Sequence, residues 1–521
     1  MLFNSHVFIF VFLPLLLAGW FFLNSRKWYK LAQGYLIGMS LWFYAHFNIN
    51  YLWIMLGSCL VGYFLCFALE KINLQRGRKW VLAAGCFFHI GSLGYFKYTN
   101  FFLKNINGVF GTDFEMLEIL LPVGISFYTF QQLAYLIDCY RRDAQCCSLV
   151  DYLTFMVYFP QVLQGPIMLH QEMLPQLHDE ERRRFDMERF TKGVQHFVIG
   201  LSKKVLLADM LAGPVNYAYS NIAMLDSPSA VLAAVGYLFE LYFDFSGYCD
   251  MAVGLGKMVG IEIVENFDSP FKSSSVKEFW RRWHITLGRF FTKYVYIPLG
   301  GSRCGKLRTI LNTLIIFLLS GLWHGANWTF VFWGLLHGIG VAAGSMAVWR
   351  RKKTQVCDDK TGGAKVAKDP AGSTGEDKTA SVPAACRLQR GKQLLTFVYV
   401  CLAFVFFRTD TIVDGFNVIR AMMVPKWNGF LFEMAENMKV SELYFLTKAL
   451  SMKAPDLLEW VNLALMLFVF AVSIVVLAGR RTADCVNQAA LTTKYALWLA
   501  FLFVWSLISM AGVSTFLYFS F

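Results

Sequence analysis

LLSGLWHGANWTFVFW, residues 318–333, sets Ser320, His324 and Asn327 between two apolar runs. The runs, about 308–323 and 327–349, are each near the roughly 18–20 residues that cross a hydrocarbon core as a helix. Inside a bilayer the backbone must satisfy its own hydrogen bonds, which leaves helices and closed barrels. These runs are continuously apolar rather than alternating, so helices are predicted. The polar interruption then reads as a broken or tightly packed helix end. Such a break is tolerated at membrane depth where it lines a cavity.

The rest of the chain agrees. Of 521 residues, 56% are hydrophobic and only 16% charged, where a soluble protein carries about 25%. The class is an all-α polytopic membrane protein. The net charge of +13 does not point to nucleic acid, because no soluble basic domain exists to bind it. Lys and Arg instead gather in loops, where they set orientation. Twelve cysteines suggest a disulfide framework, but Cys59, Cys66, Cys86 and Cys401 lie in apolar runs and no C-x-x-C occurs. Most are expected to be small buried hydrophobes.

Candidate spans fall near 5–24, 31–48, 51–69, 80–96, 116–139, 191–212, 229–252, 308–323, 327–349, 394–408, 459–479 and 494–518. Arg26, Lys27 and Lys30 follow the first span, Lys71 to Lys79 the third, and Arg141 and Arg142 the fifth. The positive-inside rule then places the N-terminus outside and the basic loops in the cytoplasm of a multi-pass cell-membrane protein. The first helix is expected to be retained, since its basic residues follow the apolar run rather than precede it. Between about 140 and 300 the segments are short or interrupted and include candidates for re-entrant helices. Residues 351–392 are poor in large apolar side chains and are expected to form a disordered cytoplasmic loop within a single domain, 1–521.

Polar residues within apolar runs cost several kcal/mol unless used or paired. His324 is the leading candidate, since a neutral imidazole in a cavity suits a general base near neutral pH. The alternative is a packing histidine bonded to a neighbouring helix. His337, in WGLLHGIG, reads as a core histidine. His6, His46, His89, His170 and His178 fall near expected helix ends or loops, and His196 beside Lys192 at an interface. A second candidate stretch is EFWRRWHITLGRFF, 278–291. As one helix it would align Trp280, His284 and Phe291, with Arg281, Arg282 and Arg289 around the other side. Forked guanidiniums suit the phosphates of a donor or of membrane lipid, and snorkelling interface arginines are the alternative. Asp244 is expected to cap a helix or pair with one of these arginines. GGSRCG followed by Lys306 nearly spells a phosphate-binding loop, but Leu307 stands where a hydroxyl is required and no strand precedes it. A tight basic turn explains its glycines. No metal site is expected, as no H-E-x-x-H string occurs.

Several strings together are more specific than any one of them. LLPVGISFYTFQ (120–131), YFPQVLQGPI (158–167), LYFDFSGYCDMAVGLG (241–256), EFWRRWHITL (278–287), YIPLGGSR (296–303) and SGLWHGANWTFVFWGLLHG (320–338) occur in order over most of the chain. In these the chain resembles the membrane-bound O-acyltransferases, in the bacterial branch that acetylates alginate and peptidoglycan. The resemblance implies about 11–13 transmembrane or re-entrant helices around a central tunnel. It implies His324 as the catalytic histidine and His284 as a second catalytic position. Arg281, Arg282, Trp283 and Asn327 are the candidates to hold substrate. A thioester donor, acetyl-CoA, would enter from the cytoplasm, with no bound cofactor. The acceptor would be a hydroxyl of a cell-surface or exported polysaccharide, reached with an extracytoplasmic acetyltransferase partner.

Thr292 and Lys293 stand where alginate-type members carry an Arg-Asp pair, which argues against alginate itself as the acceptor. The loop 351–392 is unlike the compact members, and YIPLGG argues against the D-alanyl branch. Two rival functions remain in view. One is D-alanyl transfer to teichoic acid. The other is a polysaccharide transporter or flippase, for which breaks at Gly124, Pro160, Gly165 and Pro166 would serve as discontinuous helices.

Overall fold

A computed structural model describes residues 1–361, 381–438, 440–488, 492–510 and 516–517. Every regular element among them is a helix. Seven are long and apolar enough to cross a membrane: Phe8–Ser25, Ile49–Lys71, Ser227–Val259, Lys306–His324, Trp328–Ala347, Arg387–Arg408 and Pro455–Ala478. Tyr29–Ala45, Gln75–Leu93, Ile125–Arg141, Met187–Ser202 and Thr493–Ser509 occupy other expected spans. Two of these run into wide π-turns, at Gly94–Tyr98 and Lys203–Ala208, before continuing as helix.

The centre is Ser227–Val259. In its most apolar window 83% of residues are buried, against 28–44% in the other six candidate spans. It is surrounded by protein, while the others keep a face for lipid. Met187–Ser202 packs along it closely: a Cβ on Gly200 would lie 2.6 Å from the Gly247 carbonyl, and one on Gly193 2.7 Å from that of Gly254. Small residues at a crossing let two backbones approach without a hydrophobic drive. The same packing buries His196 rather than leaving it at an interface.

Several expectations are corrected. Asp244 pairs with Lys204 at 2.6 Å, not with an arginine of 281–289, because Lys204 faces it from the adjoining π-turn. Asp250 likewise pairs with Lys203 at 2.7 Å. The expected span 116–139 is helical only from Ile125. Pro122 lacks a backbone donor, and Gly124 turns the chain with φ 76 where a Cβ would meet the Val162 carbonyl at 2.4 Å. His89 is buried rather than at a helix end, 3.5 Å from Ser58 Oγ.

Between about 140 and 300, short pieces stand among the long helices Met187–Ser202 and Ser227–Val259. Leu149–Val157, His170–His178, Val276–Arg282 and Ile285–Phe291 are helices of nine residues or fewer. The GGSRCG segment is a turn: Gly300, Gly301 and Gly305 have positive φ, and Lys306 starts the next helix. Each cysteine outside residues 348–386 is free. Of the expected loop 351–392, residues 351–361 and 381–392 are helical, as the ends of Trp328–Thr361 and Ser381–Arg408, and 362–380 lies outside the described residues.

Candidate active site

Lys306–His324 ends at the histidine. The chain turns through Gly325 and begins Trp328–Thr361, so the polar string is the bend of a helical hairpin. The two helices touch at glycines: a Cβ on Gly321 would lie 2.3 Å from the Phe330 carbonyl, and one on Gly334 2.3 Å from that of Phe317. This crossing seats His324 inside the bundle at 5% exposure. Its ring meets Trp323 at 4.8 Å, Trp333 at 5.1 Å and Phe407 at 5.2 Å, each edge-on.

A helix end leaves its last carbonyls without intrahelical partners. Here the partners come from elsewhere in the chain. Lys97 Nζ donates to the carbonyls of Trp323 at 2.7 Å and His324 at 3.0 Å, and Tyr98 Oη to that of Leu322 at 2.8 Å. An ammonium is also favoured by the helix dipole at this end. Lys97→Met is expected to cost about 1–3 kcal/mol, read as a lower thermal midpoint of the purified protein. An unchanged midpoint would show the cap to be dispensable.

His284 reaches the same place from the other stretch, but not on one helix. Val276–Arg282 ends before it and Ile285–Phe291 begins after it, with His284 itself left-handed at φ 46. The expected alignment of Trp280, His284 and Phe291 is therefore broken. The physical reason is Asn266, whose backbone carbonyl accepts from Ile285 N at 3.0 Å and whose side-chain oxygen takes Thr286 N at 3.1 Å. The chain is bent so that His284 points inward, 1% exposed. Its ring centroid lies 6.4 Å from that of His324 and 6.2 Å from Trp323. Left-handed backbone in a non-glycine residue costs about 1–3 kcal/mol and tends to gather at functional sites.

The other candidates are distributed differently. Arg281 is exposed. Arg282 bonds Glu278 at 2.9 Å. Arg289 forks onto the Glu172 carboxylate and also donates to the Ile167 carbonyl at 3.1 Å. Trp283 is buried against Phe279 and Phe267, with ring centroids at 5.4 and 5.1 Å. Asn327 donates to the Asp410 carbonyl at 2.9 Å and caps the start of the second hairpin helix. His337 is a core residue, accepting from Trp280 Nε1 at 3.2 Å. The departure at 292–293 has a partner: Lys293 Nζ and Tyr294 Oη both meet Asp138 Oδ2 at 2.9 Å.

Cavities reach residues that touch the histidine pair. One, of about 90 Å³, is lined by Lys97, Gly124, Phe127, Leu163 and Trp323. A polar cleft of about 50 Å³ runs from Asn266 and Cys249 to Ser269 and Arg481. It meets a wider vestibule of about 420 Å³ whose cations are Lys272, Arg282, Arg480 and Arg481. Asn266 and Lys97 were passed over in the sequence. Their only local signal is a polar side chain set among aromatics, in VENFDSP and GYFKYTNF.

Comparison with known proteins agrees with the motifs. The family model described as "MBOAT, membrane-bound O-acyltransferase family" matches residues 139–361. A "Peptidoglycan O-acetyltransferase" of Helicobacter pylori is 35% identical over 449 residues, covering 81% of this chain and 80% of that protein. A "Probable alginate O-acetylase AlgI" of Azotobacter vinelandii is 39% identical over 352 residues, 66% of this chain and 68% of the relative. A "Teichoic acid D-alanyltransferase" of Streptococcus thermophilus is more distant, 29% identical over 306 residues, 56% of this chain and 70% of the relative. With His324 and His284 facing each other inside a multi-pass helical bundle, the chain belongs to the membrane-bound O-acyltransferase family and is an O-acyltransferase.

Proposed function

We propose that this enzyme moves an acetyl group from a cytoplasmic thioester, of the acetyl-CoA class, toward hydroxyls of a cell-surface or exported polysaccharide. The observation that carries the reading is the His324–His284 pair, 6.4 Å apart, with Trp323 beside it lining one cavity and Asn266, bonded to His284, lining a cleft that meets the vestibule. Lys272 and Arg480 suit a phosphate-bearing carrier, while Arg282 is already held by Glu278 and Arg481 by Asp484. The positive-inside rule puts that end in the cytoplasm. The names of the nearer relatives supply the acetyl group and the glycan class.

The chemistry balances without a covalent enzyme intermediate. His324 takes the proton of the acceptor hydroxyl as its oxygen bonds to the thioester carbonyl carbon. The tetrahedral intermediate collapses, the C–S bond breaks, and the imidazolium returns the proton to the departing thiolate. The products are an O-acetyl ester and a free thiol. His284 orients the acceptor or steadies the oxyanion. Positioning of this kind supplies much of a barrier reduction. The glycan is reached with an extracytoplasmic acetyltransferase partner.

Mass spectrometry of the intact surface polymers tests this. A deletion strain is expected to lack an acetyl mass that returns with the wild-type gene. Return of an alanyl mass would overturn the acetyl assignment in favour of D-alanyl transfer. Uptake of polysaccharide into proteoliposomes with no acyl transfer would favour a transporter.

A further inference from the structure

Asn266 carries an inference that rests on the acyl-transfer reading. Its side-chain oxygen lies 3.2 Å from His284 Nδ1 and also accepts from Thr286 N at 3.1 Å and Thr286 Oγ1 at 2.9 Å. The other end of the amide donates to Cys249 Sγ at 3.6 Å. A backbone N–H can only donate, so the atom that Thr286 N addresses is the oxygen of the amide, not its nitrogen. An amide oxygen can only accept, so the hydrogen of the Asn266–His284 bond belongs to Nδ1. A neutral imidazole protonated at Nδ1 carries its lone pair on Nε2.

That second nitrogen is on the ring edge away from Asn266. It is buried and has no protein partner among the described residues. The ring is held by the edge-on contact of Phe245 at 4.8 Å and lies beside Trp323 and His324. An unpaired buried acceptor costs about 1–3 kcal/mol. Together with a left-handed backbone, that is a heavy cost to maintain for packing alone.

We propose that Asn266 is a positioning residue that holds His284 as the Nδ1-protonated tautomer, so that Nε2 accepts a hydrogen bond from an O–H or N–H of the acceptor sugar. Of the two roles open to His284, orienting the acceptor is selected. A bare Nε2 has no hydrogen to give an oxyanion, which must be met by other donors. The cleft lined by Asn266 and Cys249 keeps the Asn266 amide in reach of the vestibule.

The test reads the tautomer directly, with no substrate present. Full-length protein labelled with ¹⁵N-histidine is examined by solid-state NMR in bilayers, and the His284 signals are assigned by their absence in His284→Asn. Wild-type His284 is expected to show a protonated Nδ1 and a bare Nε2. Thr286→Val, which removes one bond to Asn266 but leaves the Nδ1 bond, is expected to keep that pattern. Asn266→Leu is expected to mix the tautomers and lower transfer about 10²-fold. A bare Nδ1 in wild type, or an Asn266→Leu variant that keeps both tautomer and transfer, would overturn the proposal. A polymer without acetyl groups would refute the transfer reading and leave the tautomer result intact.

Discussion

His324→Ala is expected to lower acyl transfer by about 10³-fold or more while the protein remains inserted and folded. A positioned general base contributes about 10²–10⁴-fold, and no other imidazole occupies its place. His284 reaches the site from a different segment with one nitrogen committed to Asn266, and His337 is committed to Trp280. The backbone of the helix end should survive, because Lys97 binds the carbonyl of residue 324 and not its side chain. Loss of the ring leaves a void among Trp323, Trp333 and Phe407, so a lower thermal midpoint is expected as well. His324→Gln separates the two effects, since it fills more of the void but cannot act as the base. The measurement is acetyl ester on the polymer per unit of membrane-inserted protein. Near-normal acetylation in both variants would remove His324 from the chemistry.

Gly321→Val has the larger structural effect. The added side chain would start 2.3 Å from the Phe330 carbonyl and 3.4 Å from the Gly334 Cα. Both are backbone atoms of the facing helix, so no rotamer change relieves the clash. The hairpin must open, at a cost of about 3 kcal/mol or more, the upper end of overpacking penalties. His324 is three residues further along and would move with the helix. A displacement near 1 Å at a reacting group can cost about 10²-fold in rate. The expected outcome is a much lower thermal midpoint together with loss of transfer. Gly38→Val is the comparison, since a Cβ there meets nothing within 4 Å. Equal stability of the two variants would show that the crossing tolerates separation.

How much of this could be read from the sequence differs between the two histidines. His324 stands out because a polar break within an apolar run has few explanations in lipid. His284 stands out only as a member of a charge-rich stretch. Its neighbours invite a continuous helix, and helical spacing then assigns the wrong partners. What bends the chain is Asn266, 18 residues earlier, in a segment with no periodicity to read. The arginines show the same limit. Arg289 looks like a phosphate ligand by type, yet it is already held by Glu172, 117 positions away. Lys293 looks like a departure from a pattern until Asp138 is seen beneath it.

Sequence by itself determined the all-helical membrane class and most of the spans, and it singled out His324 as a polar break within an apolar run. These follow from quantities local to the chain: the length of an apolar run, the placement of Lys and Arg at its ends, and a polar interruption that lipid would not tolerate unused. Tertiary structure alone decided that His284 sits at a left-handed bend rather than on a helix face, and that Lys97 and Tyr98 close the end of the His324 helix. It also decided that Asn266 sets which nitrogen His284 presents. Each of these is a bond between segments far apart in sequence. A buried polar group takes whichever partner packing brings to it, and packing is a property of the whole bundle rather than of any window of residues.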